Sequence, residues 1–309
     1  MDKNSLKIVL GICFCLTLVS SETPDCKCPG PVAHYEELGC TPVFEKPGDC
    51  CAQKYDCSKL KSLPTHKCVI NDHEYEIGEH LKDEDANPCD IGCFCADGPG
   101  GPRFTCAIVD CFHGPVTPGC YLPHNATDCC AGPEVCPAKD EDRATCIVDG
   151  KTYRDGEYFE PAGEPHKSCY CAAGYAGENV EPFCVTLKHP CGIMLHHADV
   201  IRENCVPTYY FNQSPQTDCS VAYRCQNEKD AVIPKPAGEA KSATDATADP
   251  DMQCTFGNLT MQLGDELTQA TDYSSVCVKC LCEVPPLPTC QRLSDEECDV
   301  TKHPNFDSR

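Results

Sequence analysis

A ten-cysteine spacing is written once in full along this chain and three times in part. The full copy runs Cys68, Cys89, Cys93, Cys95, Cys106, Cys111, Cys120, Cys129, Cys130, Cys136. A second copy, Cys146, Cys169, Cys171, Cys184, Cys191, Cys205, Cys219, Cys225, lacks two positions. Cys26, Cys28, Cys40, Cys50, Cys51 and Cys57 make the back half of a copy ahead of the full one. Cys254, Cys277, Cys280, Cys282, Cys290 and Cys298 make a front half at the other end. Repeats this dense in cysteine predict small modules held by disulfides, not one large core.

Energetics point the same way. The chain has no Trp, 12 Tyr and 10 Phe in 309 residues. Modules of about 70–80 residues with so little large apolar surface cannot offset chain entropy unaided. Each disulfide adds about 2–4 kcal/mol by restricting the unfolded chain. The predicted fold class is therefore small, disulfide-rich and mostly β/loop.

Lys3 and Lys7 precede an apolar run from Ile8 to Val19 and the small residues Ser20 and Ser21. That order predicts a signal peptide over 1–21 and a secreted, extracellular chain. No later stretch approaches the roughly 20 apolar residues of a membrane span, so no membrane insertion is expected. Cleavage removes Cys13 and Cys15 and leaves thirty of the 32 cysteines, an even number suited to full pairing in an oxidising compartment. Cys277-x2-Cys280 has zinc-ribbon spacing, but in an exported chain disulfides take precedence, and no metal is assigned.

Formal net charge is −23. Such a field repels nucleic acid and anionic lipid and favours a basic protein or calcium, while also keeping an extracellular chain in solution. No calcium loop supports the cation: Lys82-Asp83-Glu84-Asp85 lacks the spacing and reads as a solvated loop.

Three segments open with one phrase. Cys68 to Glu79, Cys146 to Glu157 and Cys254 to Asp265 each place a turn dipeptide between short strand-forming runs: Asn71-Asp72, Asp149-Gly150 and Gly257-Asn258. Residues that tolerate positive φ there predict tight hairpins. Gly78, Gly156 and Gly264 follow at equal spacing and let the chain bend out of the second strand. The back halves are crowded with Pro and Gly and predict extended loops. Between Cys225 and Cys254 the chain carries no cysteine, and Pro234 to Asp251 has no large apolar side chain, so 226–253 reads as a flexible linker.

With the phrase Cys-x6-Tyr-x2-Gly-Glu, the Cys-x-Cys and the closing Cys-Cys in order, the chain resembles the von Willebrand factor type C (VWFC) module. The resemblance covers roughly residues 26–225 and 254–298 and divides the chain into tandem repeats, partial at both ends. A partial back-half module takes 22–67, a complete module 68–145, a degenerate module 146–225 and a partial front-half module 254–309. Leu81, Phe159 and Leu267 stand near the place where the family often has Trp. Family pairing implies Cys68–Cys95, Cys89–Cys129, Cys93–Cys106, Cys111–Cys130 and Cys120–Cys136 in the complete module. In the degenerate one it implies Cys146–Cys171, Cys169–Cys184, Cys191–Cys219 and Cys205–Cys225, with the second-to-eighth bridge lost. The end halves can close as Cys26–Cys50, Cys28–Cys51 and Cys40–Cys57, and as Cys254–Cys282, Cys280–Cys290 and Cys277–Cys298.

Nothing in the sequence defines an enzyme or a cofactor site. His73-Glu74-Tyr75-Glu76-Ile77 has Ile where a zinc protease needs its second His, and His196-His197 reads as a solvated loop pair. Asn125-Ala-Thr127 and Asn258-Leu-Thr260 are usable glycosylation sequons, whereas Pro215 blocks the one at Asn212. The resemblance implies an extracellular protein ligand, a dimeric growth factor of the bone morphogenetic protein kind captured as in chordin- and kielin-like antagonists. The alternatives are a structural component of matrix or of a secreted coat and, less favoured, a protease inhibitor. On the growth-factor reading the contact falls on the front of the complete module, around Ile70, Tyr75, Ile77 and Leu81, with Glu74, Glu76 and Glu79 speeding encounter with a basic ligand.

All thirty remaining cysteines are expected to pair within the chain, so alkylation under non-reducing, denaturing conditions should label none of them. A labelled cysteine, or a disulfide-linked dimer on a non-reducing gel, contradicts closed modules. Replacing Cys93 should cost about 2–5 kcal/mol and block secretion.

Overall fold

Three hairpins repeat one local geometry. The structure is a computed structural model that describes residues 26–164, 166–236 and 251–303. The expected signal peptide, with Cys13 and Cys15, lies outside them. Cys68–Ile70 pairs with His73–Tyr75, Thr145–Val148 with Lys151–Arg154, and Gln253–Phe256 with Leu259–Gln262, all antiparallel. Asn71, Asp72, Asp149, Gly150 and Gly257 take the positive φ that two-residue turns require. One step on, Gly78, Gly156 and Gly264 have φ near +85 to +89°, and each donates its N–H to the second cysteine of the following Cys-x-Cys. The bonds to Cys95, Cys171 and Cys282 are 2.7, 2.8 and 2.8 Å long. The same cysteines are disulfide-bonded to the first residues of the hairpins, Cys68, Cys146 and Cys254. One covalent and one hydrogen bond therefore hold each hairpin to its neighbouring strand.

Fifteen disulfides pair all thirty described cysteines. In the complete module they join Cys68–Cys95, Cys89–Cys129, Cys93–Cys106, Cys111–Cys130 and Cys120–Cys136. In the degenerate module they join Cys146–Cys171, Cys169–Cys184, Cys191–Cys219 and Cys205–Cys225. The end halves close as Cys26–Cys50, Cys28–Cys51, Cys40–Cys57, Cys254–Cys282, Cys277–Cys298 and Cys280–Cys290. Regular structure is short: strands of two to four residues, most in two-stranded pairs, and helices of three to six. The proline-rich back half of the complete module has no named strand beyond a single bridge, Tyr121 to Val135.

The halves pack out of step with the modules. Where Cys89–Cys129 ties front to back, the complete module's back half still leans on the next module's front: His124 stacks on Tyr170 at 3.8 Å, and the Tyr121 hydroxyl donates to Asp155 at 3.0 Å. The degenerate module lacks that bridge, and its back half is shared among three neighbours. Helix Ile193–His196 drives Leu195 into the complete module's core, among Ile70, Tyr75 and Phe104. Glu37 of the N-terminal half accepts the N–H groups of Cys191 and Ile193 at 2.6 and 2.7 Å. Strand Val206–Tyr209 runs parallel to Thr289–Arg292 of the C-terminal half, completing the six-stranded sheet.

The two ends of the chain also meet. Tyr35 stacks on Tyr55 at 4.5 Å, donates its hydroxyl to the Val284 carbonyl at 2.8 Å and accepts the Leu287 N–H at 2.9 Å. The N-terminal back half and the C-terminal front half thus cover each other's apolar faces.

The expected linker 226–253 needs correction at its start. Val232–Ile233 forms the edge strand of the six-stranded sheet against Glu266–Leu267, and the Lys235 N–H donates to Asp265 at 3.1 Å. Arg224 and Asp230 form a buried ion pair at 2.5 Å, with Arg224 also donating to the Thr268 carbonyl at 2.9 Å. The segment's polar composition concealed this, because Asp230 is paired inside the fold while Glu228, Lys229 and Lys235 stay exposed. Residues 237–250 lie outside the described residues.

Helix Val32–Glu37 buries His34 as well as Tyr35. Both His34 ring nitrogens lack hydrogen-bond partners, and Tyr223 packs against the ring at 5.9 Å. Burial, reinforced by nearby His197, lowers the His34 pKa to about 3. In the unfolded chain the imidazole takes a proton below about 6.5, whereas the folded chain resists it down to about 3, so stability is lost as pH falls through that window. Urea denaturation should therefore show about 2 kcal/mol lost from this residue between pH 7.5 and pH 5. A His34→Leu variant should lose correspondingly less; an unchanged pH slope would show that His34 is not the group responsible.

Candidate functional site

The front of the complete module is a small sheet whose two faces differ sharply. Phe94–Ala96 pairs with Arg103–Thr105, and His80 bridges to Phe94. Cys93, Cys95 and Phe104 point inward, where Tyr75 meets Phe104 edge-on at 5.3 Å. Ile70 and Tyr75 are fully inside this core, and Leu81 packs against it. Ile70 and Tyr75 are corrected here from contact residues to core residues, because cross-strand partners and Leu195 from the degenerate module cover them. Leu81 is only half-buried. Ile77 is different: it follows the hairpin and is 48% exposed.

Tyr75 has a further task. Its hydroxyl donates to Asp85 at 2.5 Å, and the same carboxylate receives Asn71 Nδ2 at 3.0 Å and contacts His73 Nδ1 at 2.7 Å. Burial pushes the Asp85 carboxyl up, but the bonds from Tyr75, His73 and Asn71 outweigh it and hold it below the usual carboxylate range. Burial and the bond to Asp85 raise Tyr75 to about 12. Asp85 is therefore buried and structural, pinning the hairpin turn, where its acidic surroundings had suggested a solvated loop. His73, Glu84 and Asp85 do converge, but Asp85 is occupied by these three donors.

Elsewhere the module exposes apolar residues that the hairpin phrase did not reveal. Phe94 and Ile91 are exposed, Ile108 is 97% exposed and Phe112 is 84% exposed. Phe94 could have been found from the sequence. Alternation along a strand means that a residue between two buried cysteines, Cys93 and Cys95, must point outward. Ile108 lies in the stretch between Cys106 and Cys111 and Phe112 at the start of the back half, where no periodicity marks a side chain as inside or outside. The nearby acids are partly neutralised: Lys67 pairs with Glu74 at 3.1 Å and Glu76 at 2.9 Å. Glu79 accepts the Glu76 N–H at 2.9 Å.

The remaining candidates fall as follows. His197 is half-buried against Tyr223 at 4.8 Å, and His196 lies beside it at 6.3 Å between ring centroids. Asn125 and Asn258 are both exposed, the latter at the hairpin turn as expected. Clusters such as Cys111, Cys129 and Cys130 bring sulfurs together, but those sulfurs are in disulfides and offer no thiolate. Among the described residues no helix is long and apolar enough to cross a membrane. No protein-family model and no solved structure matches the chain.

Truncation separates the two sets of residues. Tyr75→Ala should cost about 3–5 kcal/mol in denaturation experiments, because it empties the core and strands Asp85. Ile108→Ser and Phe112→Ser should change stability by no more than about 0.5 kcal/mol in denaturation experiments.

Proposed function

We propose that this protein works outside the cell, without catalysis, as a tandem array of VWFC-like modules that captures a dimeric growth factor of the bone morphogenetic protein class. The observation that carries the reading is the exposed apolar set on the complete module: Ile77, Phe94, Ile108 and Phe112. Exposed large apolar side chains are the kind of anchor that supplies most of the affinity in protein interfaces. Disulfide density supports an oxidising, extracellular setting. The contact proposed from the sequence therefore keeps Ile77 and Leu81 and moves from Ile70 and Tyr75 to Phe94, Ile108 and Phe112. The net charge of −23 would hasten encounter with a basic ligand.

Surface plasmon resonance of the oxidised chain against immobilised bone morphogenetic proteins and their relatives tests this. Saturable binding below about 1 µM is expected, with an Ile108→Ser/Phe112→Ser double variant weakened at least about tenfold. No binding at that concentration by a folded chain, together with self-association in sedimentation, would transfer the function to the matrix reading.

A further inference from the structure

The six-stranded sheet leaves one end of its core face open. Val206–Tyr209, Thr289–Arg292 and Val278–Leu281 lie side by side, and Val206, Cys290 and Val278 belong to the C-terminal core. Side chains alternate across a strand, so Thr208 shares the face of Val206; its register partner is Cys290. Arg292, two residues beyond Cys290 and paired with Val278, lies on the same face. Above these, Tyr273, Val276 and Val300 roof a cleft of about 600 Å3. That volume lies within the range of small-molecule sites.

Four features of its lining point to one chemistry. Thr208 is only 7% exposed, and its hydroxyl has no hydrogen-bond partner. Arg292 is the one arginine among the described residues without a hydrogen-bonded or ionic partner. Arg103, Arg154 and Arg224 pair with Asp199, Asp140 and Asp230, while Arg143 and Arg202 bind backbone carbonyls. Among the described residues no carboxylate lines the cleft, although the chain has 48 Asp and Glu. Tyr273, 87% exposed, stands at the opening with its ring free.

We propose that this cleft binds a small amphipathic monocarboxylate, with its head group between the Arg292 guanidinium and the Thr208 hydroxyl and its apolar chain along Val276, Val278, Val300 and Tyr273. The planar guanidinium fork matches the two oxygens of a carboxylate, and Arg292 is the one arginine or lysine among the described lining residues, which also include the His303 imidazole. Thr208 and Arg292 are diagonal neighbours on adjacent strands, a separation that one carboxylate and a long side chain span. The site is distinct from the outer face of the complete module and does not depend on growth-factor capture.

Isothermal titration calorimetry of the full oxidised chain with sodium octanoate, and with 1-octanol as the uncharged probe, tests it. Octanoate should bind at one equivalent and at least about tenfold more tightly than 1-octanol. Arg292→Gln should reduce octanoate to the 1-octanol level, and Thr208→Val, nearly isosteric, should weaken octanoate severalfold while leaving 1-octanol unchanged. Equal affinities for the two probes, no saturation by about 2 mM, or an unaffected Arg292→Gln variant would overturn the assignment.

Discussion

The bond from the first cysteine of each front half to the second cysteine of its Cys-x-Cys is the constraint on which the rest of the structure depends. Cys68–Cys95, Cys146–Cys171 and Cys254–Cys282 each clamp a two-stranded hairpin that would be only marginally stable alone. The glycine at positive φ then delivers an N–H to the same strand, so one backbone conformation serves both the turn and the clamp. Around that clamp only a few apolar residues are needed: Ile70, Tyr75 and Phe104 in one copy, Phe256, Met261 and Leu267 in another.

Loss of a bridge has a structural consequence beyond lost stability. Without a counterpart of Cys89–Cys129, the degenerate module's back half is not tied to its own front half. Its helices, its strand Val206–Tyr209 and the Cys191 and Ile193 N–H groups that donate to Glu37 instead join three other parts of the chain. Apolar residues too few to cover one module become shared cover for several. The buried Arg224–Asp230 pair sits in the same junction. It costs desolvation, and its value is to fix how the segment after Cys225 meets the C-terminal half.

This sharing bears on function. The residues that the repeats have in common are consumed in holding the fold, whereas Ile108 and Phe112, outside the shared phrase, are left in solvent. The hairpin phrase marks the architecture, and the contact proposed above for a growth factor lies beside it.

Much was legible in the residues themselves. Cysteine order gave the repeat, its phase and, through the family it resembles, a pairing that coincides with the fifteen bonds of the structure, while Asn71-Asp72 and Asp149-Gly150 marked their turns because backbone sterics act locally. What lay inside was harder to read. Ile70 and Tyr75 look the same in sequence whether a neighbour covers them or a ligand does, and the cover, Leu195, lies more than a hundred residues away. The docking of Val232–Ile233, the burial of Asp85 and the meeting of Tyr35 with Val284 likewise depend on contacts between distant segments. Local chemistry determined the covalent frame and its turns; only the tertiary structure decided which faces were buried, because burial is a property of the pair of surfaces and not of either alone.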